Sequence, residues 1–106
     1  AEVLKNAGNE AYSKKDFAKA FSFYTEGIRI QCTDKELVSK LYNNRSTVYF
    51  NLENYHDCLN DVKAATALQP FYPKAIIRGA SACLKLKQFE EAMIWCDKGL
   101  AVSFLR

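Results

Sequence analysis

The side chains best suited to chemistry in this chain are hydrogen-bond donors gathered in three short segments. Lys5 and Asn9 lie in the first segment, Asn44 in the second, and Lys74 and Arg78 in the third. Lysine supplies a point charge, asparagine a directional amide donor, and arginine a planar fork of N–H groups. Because these groups donate hydrogen bonds and most of them carry positive charge, the segments predict a binding site for an anionic ligand.

The chain offers little for catalysis or metal binding. His56 is its single histidine, and the four cysteines, Cys32, Cys58, Cys83 and Cys96, include no Cys-x-x-Cys pair. Zinc sites need closer ligand pairs than these, and there is no glycine-rich phosphate loop. The sequence therefore predicts no enzyme activity, no metal and no cofactor. Free, mostly buried thiols in a reducing compartment are expected instead.

Composition limits the remaining classes. A length of 106 residues allows one domain, spanning 1–106, and 49% hydrophobic with 25% charged residues is typical of a soluble globular protein. The net charge of +3 is too small to indicate nucleic acid as a partner. No run of about 18 apolar residues predicts a membrane span. No signal peptide is recognisable, and helix from the first residues onward indicates a piece of a longer protein.

The chain repeats itself, and the repeats must position the donors. Three aromatic-led segments align: Phe17-Ala-Lys-Ala20, Tyr55-His-Asp-Cys58 and Phe89-Glu-Glu-Ala92. Their last residues are 38 and then 34 positions apart. Upstream residues match in the same frame: Leu4, Ala7, Gly8 and Ala11; Tyr42, Arg45, Ser46 and Tyr49; Ile76, Gly79, Ala80 and Cys83. The pattern predicts helices over about 2–14, 17–31, 35–52, 55–69, 72–86 and 89–103.

Glycines and caps agree with this map. All four glycines, Gly8, Gly27, Gly79 and Gly99, fall at small-residue positions of the repeat, where close approach of neighbouring helices is expected. Thr33-Asp-Lys-Glu36 resembles a capping box that opens the third helix. Asp16 and Asn54 stand near the start of the second and fourth helices, where polar residues cap the first amides.

The repeat resembles the tetratricopeptide repeat, whose pattern is Trp-x-x-Leu-Gly-x-x-Tyr, then Ala-x-x-x-Phe, then Pro, with a period of about 34 residues. The resemblance covers the whole chain, although no copy has the Trp and the second has Arg-Ser for Leu-Gly. It implies an all-α fold of three repeats, over about 1–34, 39–72 and 73–106. Six antiparallel helices would form a short right-handed superhelix with a concave groove.

On the first helix of each repeat, the face opposite the packing stripe is expected to line the groove. These positions are Glu2, Lys5, Asn6 and Asn9; Lys40, Asn43, Asn44 and Thr47; Lys74, Ile77, Arg78 and Ser81. They hold four bases and one acid, against 15 and 12 in the whole chain. Like charges gathered in a concavity repel one another, and an anionic ligand would relieve that repulsion.

Three motifs at these positions, Lys5-x-x-Gly-Asn9, Leu41-Tyr-Asn-Asn44-Arg-Ser and Lys74-x-x-x-Arg78, resemble the two-carboxylate clamp of tetratricopeptide co-chaperones. The resemblance implies a partner, namely the C-terminal Glu-Glu-Val-Asp tail of heat shock protein 90, heat shock protein 70 or both. It also implies that Lys5, Asn9, Asn44 and Lys74 hold the two carboxylates of the last aspartate. Arg78 would hold an upstream group. Tyr12, Thr47, Phe50 and Ile77 are candidates for contacts with the other side chains of the tail.

Several alternatives stay open. The domain could target a larger enzyme, such as a prolyl isomerase or phosphatase, or it could bind an internal peptide rather than a free carboxyl end; binding of nucleic acid by the basic groove is a weaker possibility. Within the co-chaperones, Lys74–Ala80 and Trp95–Leu100 resemble one subgroup that acts with heat shock protein 90. A cytoplasmic location is expected, with the nucleus as a second compartment and no membrane association.

The end of the repeat array is expected to be uncovered. Trp95, Leu100, Phe104 and Leu105 would be partly exposed there, because solenoids need a polar cap after the last repeat. The sequence therefore predicts that a capping helix, apparently absent from this chain, or another chain covers this end.

Overall fold

The computed structural model describes residues 1–30 and 33–105, with the backbone alone for 100–105. Six helices and no strand occupy the described part of the chain. They are α1 (Glu2–Ser13), α2 (Phe17–Arg29), α3 (Lys35–Asn51), α4 (Tyr55–Leu68), α5 (Pro73–Lys85) and α6 (Phe89–Leu105). The all-α prediction is confirmed, and each predicted boundary on a described residue lies within two residues of the observed one. None of the described helices is long and apolar enough to span a membrane.

Each helix packs against the next one along the chain, and the first helices of the repeats also contact one another. Thus α1 touches α3, and α3 touches α5, in addition to the pairs that are consecutive in sequence. Because α1, α3 and α5 lie side by side, their outward faces form one continuous surface. This arrangement brings the three donor segments of the sequence onto the same side of the molecule.

The first helix of every repeat ends in the same backbone motif. Lys15, Glu53 and Lys87 have positive φ angles of 61°, 62° and 60°. The next amide closes each end by donating to a carbonyl five residues back, from Asp16 to Ala11, Asn54 to Tyr49 and Gln88 to Cys83, each at 2.9 Å. This is the Schellman arrangement, usually completed by glycine. Its recurrence without glycine shows that the three repeats share backbone geometry as well as sequence pattern.

Polar caps begin two of the helices, and one predicted cap is displaced by a residue. The Asp16 carboxylate accepts from the Lys19 amide at 3.2 Å, whereas Asn54 precedes α4 without a side-chain cap bond. The predicted capping box at Thr33 is wrong, because Asp34 is the N-cap and accepts from the Leu37 amide at 3.2 Å. Asp34 stands directly before the first helical residue, so its short side chain reaches the third amide of α3.

The core has two clusters, one at each junction between repeats. The first contains Ala11, Ala20, Tyr24, Leu41 and Val48. The second contains Cys58, Leu59, Val62, Ala65, Ala75, Ile76, Ala82, Cys83, Ala92 and Trp95. Glycines let the helices approach at both clusters, since a Cβ on Gly8 would overlap the Tyr24 ring and one on Gly79 would lie 2.9 Å from Trp95 Cδ2. At Gly99 the prediction is wrong, because the nearest atom would be 3.5 Å away, an ordinary contact.

The end of the array differs from its prediction at Trp95. Its side chain is buried, with 5% exposed, because the ring packs over Gly79 and lies under the Lys98 ammonium at 4.3 Å. Leu100, Phe104 and Leu105 lie outside the residues whose side chains are described. Other apolar residues of α6 are open, with Phe89 60% and Met93 67% exposed.

The described cysteines differ in burial. Cys58 and Cys83 lie in the core, and burial raises the pKa of the Cys58 thiol to about 12. Burial also raises the pKa of Cys83, which is next to Glu91. Cys96 is exposed, contrary to the general expectation of burial, and Cys32 lies outside the described residues. The two core thiols are therefore expected to be unreactive at neutral pH.

A buried ion pair ties three helices together in the middle of the molecule. The Arg45 guanidinium of α3 donates to both carboxylate oxygens of Asp61 in α4, at 2.7 and 2.8 Å. It also donates to the hydroxyl of Thr25 in α2 at 3.3 Å. Asp61 is 4% exposed, and the bond to it raises the pKa of Arg45. Removing one partner of such a pair strongly destabilises the fold, because the remaining charge stays buried.

Candidate functional site

Two asparagines from different helices meet on the surface formed by α1, α3 and α5. The Asn44 amide of α3 donates from Nδ2 to Oδ1 of Asn9 in α1, at 3.0 Å. Around them lies a small pocket of about 90 Å³, here named the amide pocket. Its lining residues are Asn9, Tyr12, Tyr24, Asn44 and Thr47. Four residues that the sequence singled out as binding candidates therefore converge at one place.

Packing from neighbouring residues holds the sides of the amide pocket. The Tyr12 hydroxyl accepts from the Asn51 amide of α3 at 2.7 Å, and the Tyr12 ring lies 5.5 Å from that of Phe17. The Thr47 hydroxyl donates to the carbonyl of Asn43 at 3.1 Å. With its polar atom engaged by the helix, Thr47 offers mainly its methyl group to a ligand. Tyr12 and Thr47 are thus placed to contact an apolar side chain bound at the pocket.

Three cations flank the amide pocket along the surface. Lys5 is one helical turn before Asn9 on α1, and Lys74 and Arg78 are one turn apart on α5. Among residues with described side chains, none of the three forms an ion pair with a carboxylate. Arg78 lies 4.9 Å over the Phe50 ring, a cation–π distance that orients its guanidinium. Because none of these charges is neutralised by a described carboxylate, they remain available to an anion.

Ile77 is set apart from the amide pocket. It is 65% exposed and lines a larger apolar cavity of about 360 Å³, together with Leu84 of α5 and Trp95 of α6. A tail bound at the amide pocket would reach this cavity only with residues further from its end. Phe50, by contrast, is held beside Arg78 and packs edge-on against Tyr55 at 5.3 Å.

Two of the expected groove positions in α3 behave differently from their prediction. Lys40 is not an unpaired cation, because its ammonium lies 3.4 Å from the Glu36 carboxylate one turn earlier. Asn43 is buried, with 6% exposed, because it turns toward Tyr72 at the start of α5. Its Oδ1 has no hydrogen-bond partner among the described residues. The excess of free cations is therefore smaller in the second repeat than the sequence indicates.

Tyr24, which the sequence analysis did not single out, has a polar role at the amide pocket. The Tyr24 hydroxyl donates to Oδ1 of Asn9 at 2.5 Å, from a side chain that is 2% exposed. Equivalent positions of the other repeats hold Val62 and Cys96, which carry no hydroxyl. A hydroxylated aromatic at a position that is otherwise apolar is the signal that could have identified it.

Helix pairs stacked in sequence order, with donors lining one face of their first helices, define the class. The chain is a tetratricopeptide repeat domain. No family model matches it, so the relation to particular proteins rests on pairwise similarity.

The sequence is similar to two known proteins over most of its length. It is 46% identical over 102 residues to human Tetratricopeptide repeat protein 4, covering 96% of this chain and 26% of that protein. It is 36% identical over 92 residues to the Hsp70/Hsp90 co-chaperone CNS1 of Saccharomyces cerevisiae, covering 87% of this chain and 24% of that protein. The chain thus spans about a quarter of these relatives. The subgroup that the third repeat indicated is the one named for Tetratricopeptide repeat protein 4, and this prediction is confirmed.

Solved structures agree in fold. The Saccharomyces cerevisiae Hsp90 co-chaperone Cns1 superposes with a TM-score of 0.89 at 33% identity, covering 92% of this chain and 31% of that one. The first TPR of Spaghetti (RPAP3), bound to the HSP90 peptide SRMEEVD, superposes with a TM-score of 0.85 at 29% identity. The match covers 94% of this chain and 76% of that one. The chain therefore shares the tetratricopeptide repeat fold of these domains.

Proposed function

We propose that this domain is an adaptor that binds the C-terminal Glu-Glu-Val-Asp tail of heat shock protein 90, heat shock protein 70 or both. In this assignment Lys5, Asn9, Asn44 and Lys74 hold the two carboxylates of the last aspartate, and Arg78 holds a group upstream. One relative, CNS1, is named as an Hsp70/Hsp90 co-chaperone, and one structural neighbour carries a peptide that ends in this sequence.

One observation carries the proposal, namely the hydrogen bond between Asn9 and Asn44 across α1 and α3. It brings amide donors from two repeats to a single point, on a surface whose helices also carry Lys5, Lys74 and Arg78 without an ion-pair partner among the described residues. A terminal aspartate offers two carboxylates on one residue, and both accept hydrogen bonds only. Donors from two helices can therefore engage both groups, whereas an internal peptide segment lacks the main-chain carboxylate.

The donor set predicts an affinity of moderate strength. Hydrogen bonds to charged groups contribute about 1.5–3 kcal/mol each when sheltered and under about 1 kcal/mol when exposed. Lys74 is exposed, so its contact lies toward the weak end, whereas Lys5 and Arg78 are half-buried. After the cost of ordering a flexible tail, we expect a Kd on the order of micromolar.

A titration with a fluorescent peptide ending in Met-Glu-Glu-Val-Asp tests the assignment. The same peptide with an amidated C-terminus removes one carboxylate and changes nothing else. We expect micromolar binding of the free acid, loss of binding on amidation, and weaker binding with Lys5→Ala or Arg78→Ala. Lys19→Ala is the matched control, since it removes an exposed lysine of α2 that lies outside the groove.

The possible outcomes separate the competing functions. Equal binding of the free acid and the amide would favour recognition of an internal peptide. Absence of binding for both peptides would reject the chaperone tail as ligand while leaving the fold unaffected. Binding that does not weaken with added salt would contradict the part assigned to Lys5, Lys74 and Arg78, because exposed charges are screened.

A role as a non-enzymatic adaptor in the cytoplasm and nucleus completes the proposal. Within the residues whose side chains are described, no cluster of histidine, cysteine and acidic residues could hold a metal ion. The groove offers donors for binding and no nucleophile beside a base. Assaying the full-length protein for peptidyl-prolyl isomerase and phosphatase activity would test whether the domain instead directs an enzyme to the chaperone.

A further inference from the structure

The orientation of the Asn9 amide decides what the amide pocket can bind. A carboxamide presents two donors on its nitrogen and an acceptor on its oxygen. A carboxylate ligand accepts only, so it binds the nitrogen and repels the oxygen. Asn9 is exposed, and packing alone does not stop its terminal torsion from turning by half a circle. Some other contact must fix which end of the amide faces the ligand.

Two donors occupy the Asn9 oxygen at once. The Tyr24 hydroxyl lies 2.5 Å from Oδ1 and the Asn44 Nδ2 lies 3.0 Å from the same atom. These bonds use both lone pairs of the oxygen, and both N–H groups of Asn9 remain free of protein partners among the described residues. Rotating the Asn9 amide would bring its nitrogen against the Asn44 nitrogen, donor against donor, and the Tyr24 hydroxyl would have to accept a hydrogen bond instead of donating one.

We propose that Tyr24 is a positioning residue for carboxylate recognition, which holds Asn9 with its amide nitrogen rather than its oxygen toward the bound tail. This inference rests on the proposed function. Tyr24 itself is only 2% exposed, so we expect it to act through Asn9. The first repeat alone has this device, because Val62 and Cys96 stand at the equivalent positions.

The surroundings of Tyr24 suit it to hold one orientation. Its ring fits against Gly8, where any Cβ would overlap it, so the ring cannot shift without moving α1. Burial raises the pKa of the Tyr24 phenol to about 12, with a smaller contribution from Tyr12. The hydroxyl therefore remains protonated, and remains a donor, at pH values where an exposed tyrosine begins to ionise.

Tyr24→Phe removes the hydroxyl and keeps the ring that packs on Gly8. We expect the affinity for the free-acid peptide ending in Met-Glu-Glu-Val-Asp to fall about three- to tenfold, the range for one hydrogen bond. Affinity for the amidated peptide should change less, because its end no longer requires the nitrogen alone. Tyr42→Phe is the matched control, since Tyr42 packs below Arg45 and does not line the amide pocket.

A double-mutant cycle separates positioning from a general structural effect. In an Asn9→Ala background, Tyr24→Phe should cause no further loss of affinity, because the residue through which it acts is gone. Side-chain amide signals of Asn9 in ¹⁵N NMR spectra of the free domain provide a second readout. They should shift or broaden in Tyr24→Phe and stay unchanged in Tyr42→Phe.

An equal loss of affinity in the presence and absence of the Asn9 side chain would overturn the proposal, as would Asn9 amide signals that do not respond to Tyr24→Phe. If the wild-type domain binds neither peptide, the proposed function fails. The NMR comparison of the free domain then still decides whether Tyr24 fixes the Asn9 amide, because it requires no ligand.

Discussion

The amide pocket and α5 both supply groups to the proposed clamp, but they are built differently. In the pocket, Asn9, Asn44 and Tyr24 hold one another by hydrogen bonds between three helices. On α5, Lys74 is exposed, and the contact that orients Arg78 among the described residues is the face of one aromatic ring. The comparison indicates a division of labour, in which the pocket contributes fixed geometry and α5 contributes charge attraction.

Hydrogen bonds beside the amide pocket, made by Arg45, explain part of this difference between the pocket and α5. Arg45 is the neighbour of Asn44 in sequence, and Thr25 is the neighbour of Tyr24. The hydrogen bond between Arg45 and Thr25 therefore ties α2 to α3 beside the pocket, and Asp61 anchors Arg45 from α4. No ion pair in the described part of α5 holds Lys74 or Arg78 in a fixed position in this way.

The largest expected effect comes from breaking the ion pair between Arg45 and Asp61. Asp61→Ala leaves the Arg45 charge buried without its partner, and we expect the free energy of unfolding to fall by about 3–5 kcal/mol. Urea denaturation followed by circular dichroism measures this change. Glu10→Ala is the control, since its pair with Lys14 is 70% exposed and should contribute under about 1 kcal/mol. Similar losses of unfolding free energy in the two variants would show that the buried Arg45–Asp61 pair stabilises the fold no more than an exposed pair does.

A smaller change at Gly8 should disturb the pocket directly. Gly8→Ala places a methyl group against the Tyr24 ring, and such overpacking costs about 1–3 kcal/mol. We also expect weaker binding of the free-acid peptide, because a displaced ring takes its hydroxyl away from Asn9. Gly99→Ala is the matched variant, and there we expect up to about 1 kcal/mol of stabilisation from helix propensity. Equal thermal midpoints for the two variants would contradict the close approach at Gly8.

Salt dependence should distinguish the two halves of the clamp. Asn44→Ala and Arg78→Ala are each expected to weaken binding of the free-acid peptide by about tenfold, or about 1.4 kcal/mol. Because Asn44 is neutral, its removal should leave the slope of affinity against salt concentration unchanged. Removing Arg78 should flatten that slope. Titrations at three salt concentrations provide the measurement. Identical slopes in both variants would contradict the hypothesis that α5 supplies the charge attraction and the amide pocket the fixed geometry.

Ile77 should give the smallest effect on the fold. With 65% of its side chain exposed, Ile77→Ala is expected to change the free energy of unfolding by no more than about 0.5 kcal/mol. Binding of the five-residue tail should also change little, because Ile77 faces the apolar cavity rather than the amide pocket. A longer peptide with an apolar residue upstream should lose affinity. A large loss with the short peptide would instead place Ile77 at the end of the tail.

Much of the architecture follows from the sequence alone, because repeat spacing and helical periodicity are local properties. The pattern of aromatic, apolar and small residues predicted the helices closely, and the five donors of the proposed clamp lie on α1, α3 and α5. Helix caps were less certain, since Thr33 and Asp34 are both suitable residues and only the chain path shows that Asp34 precedes the first turn.

The tertiary structure decided which donors are free and which way they point. Tyr24 and Asn9 are 15 residues apart and Asn9 and Asn44 are 35 apart, so their bonds depend on how helices pack, which periodicity does not encode. The same packing buries Asn43 beside Tyr72 and places Trp95 over Gly79. The sequence by itself determined the fold and the chemistry of the groove. Helix packing alone selected the few atoms in it that are able to meet a carboxylate.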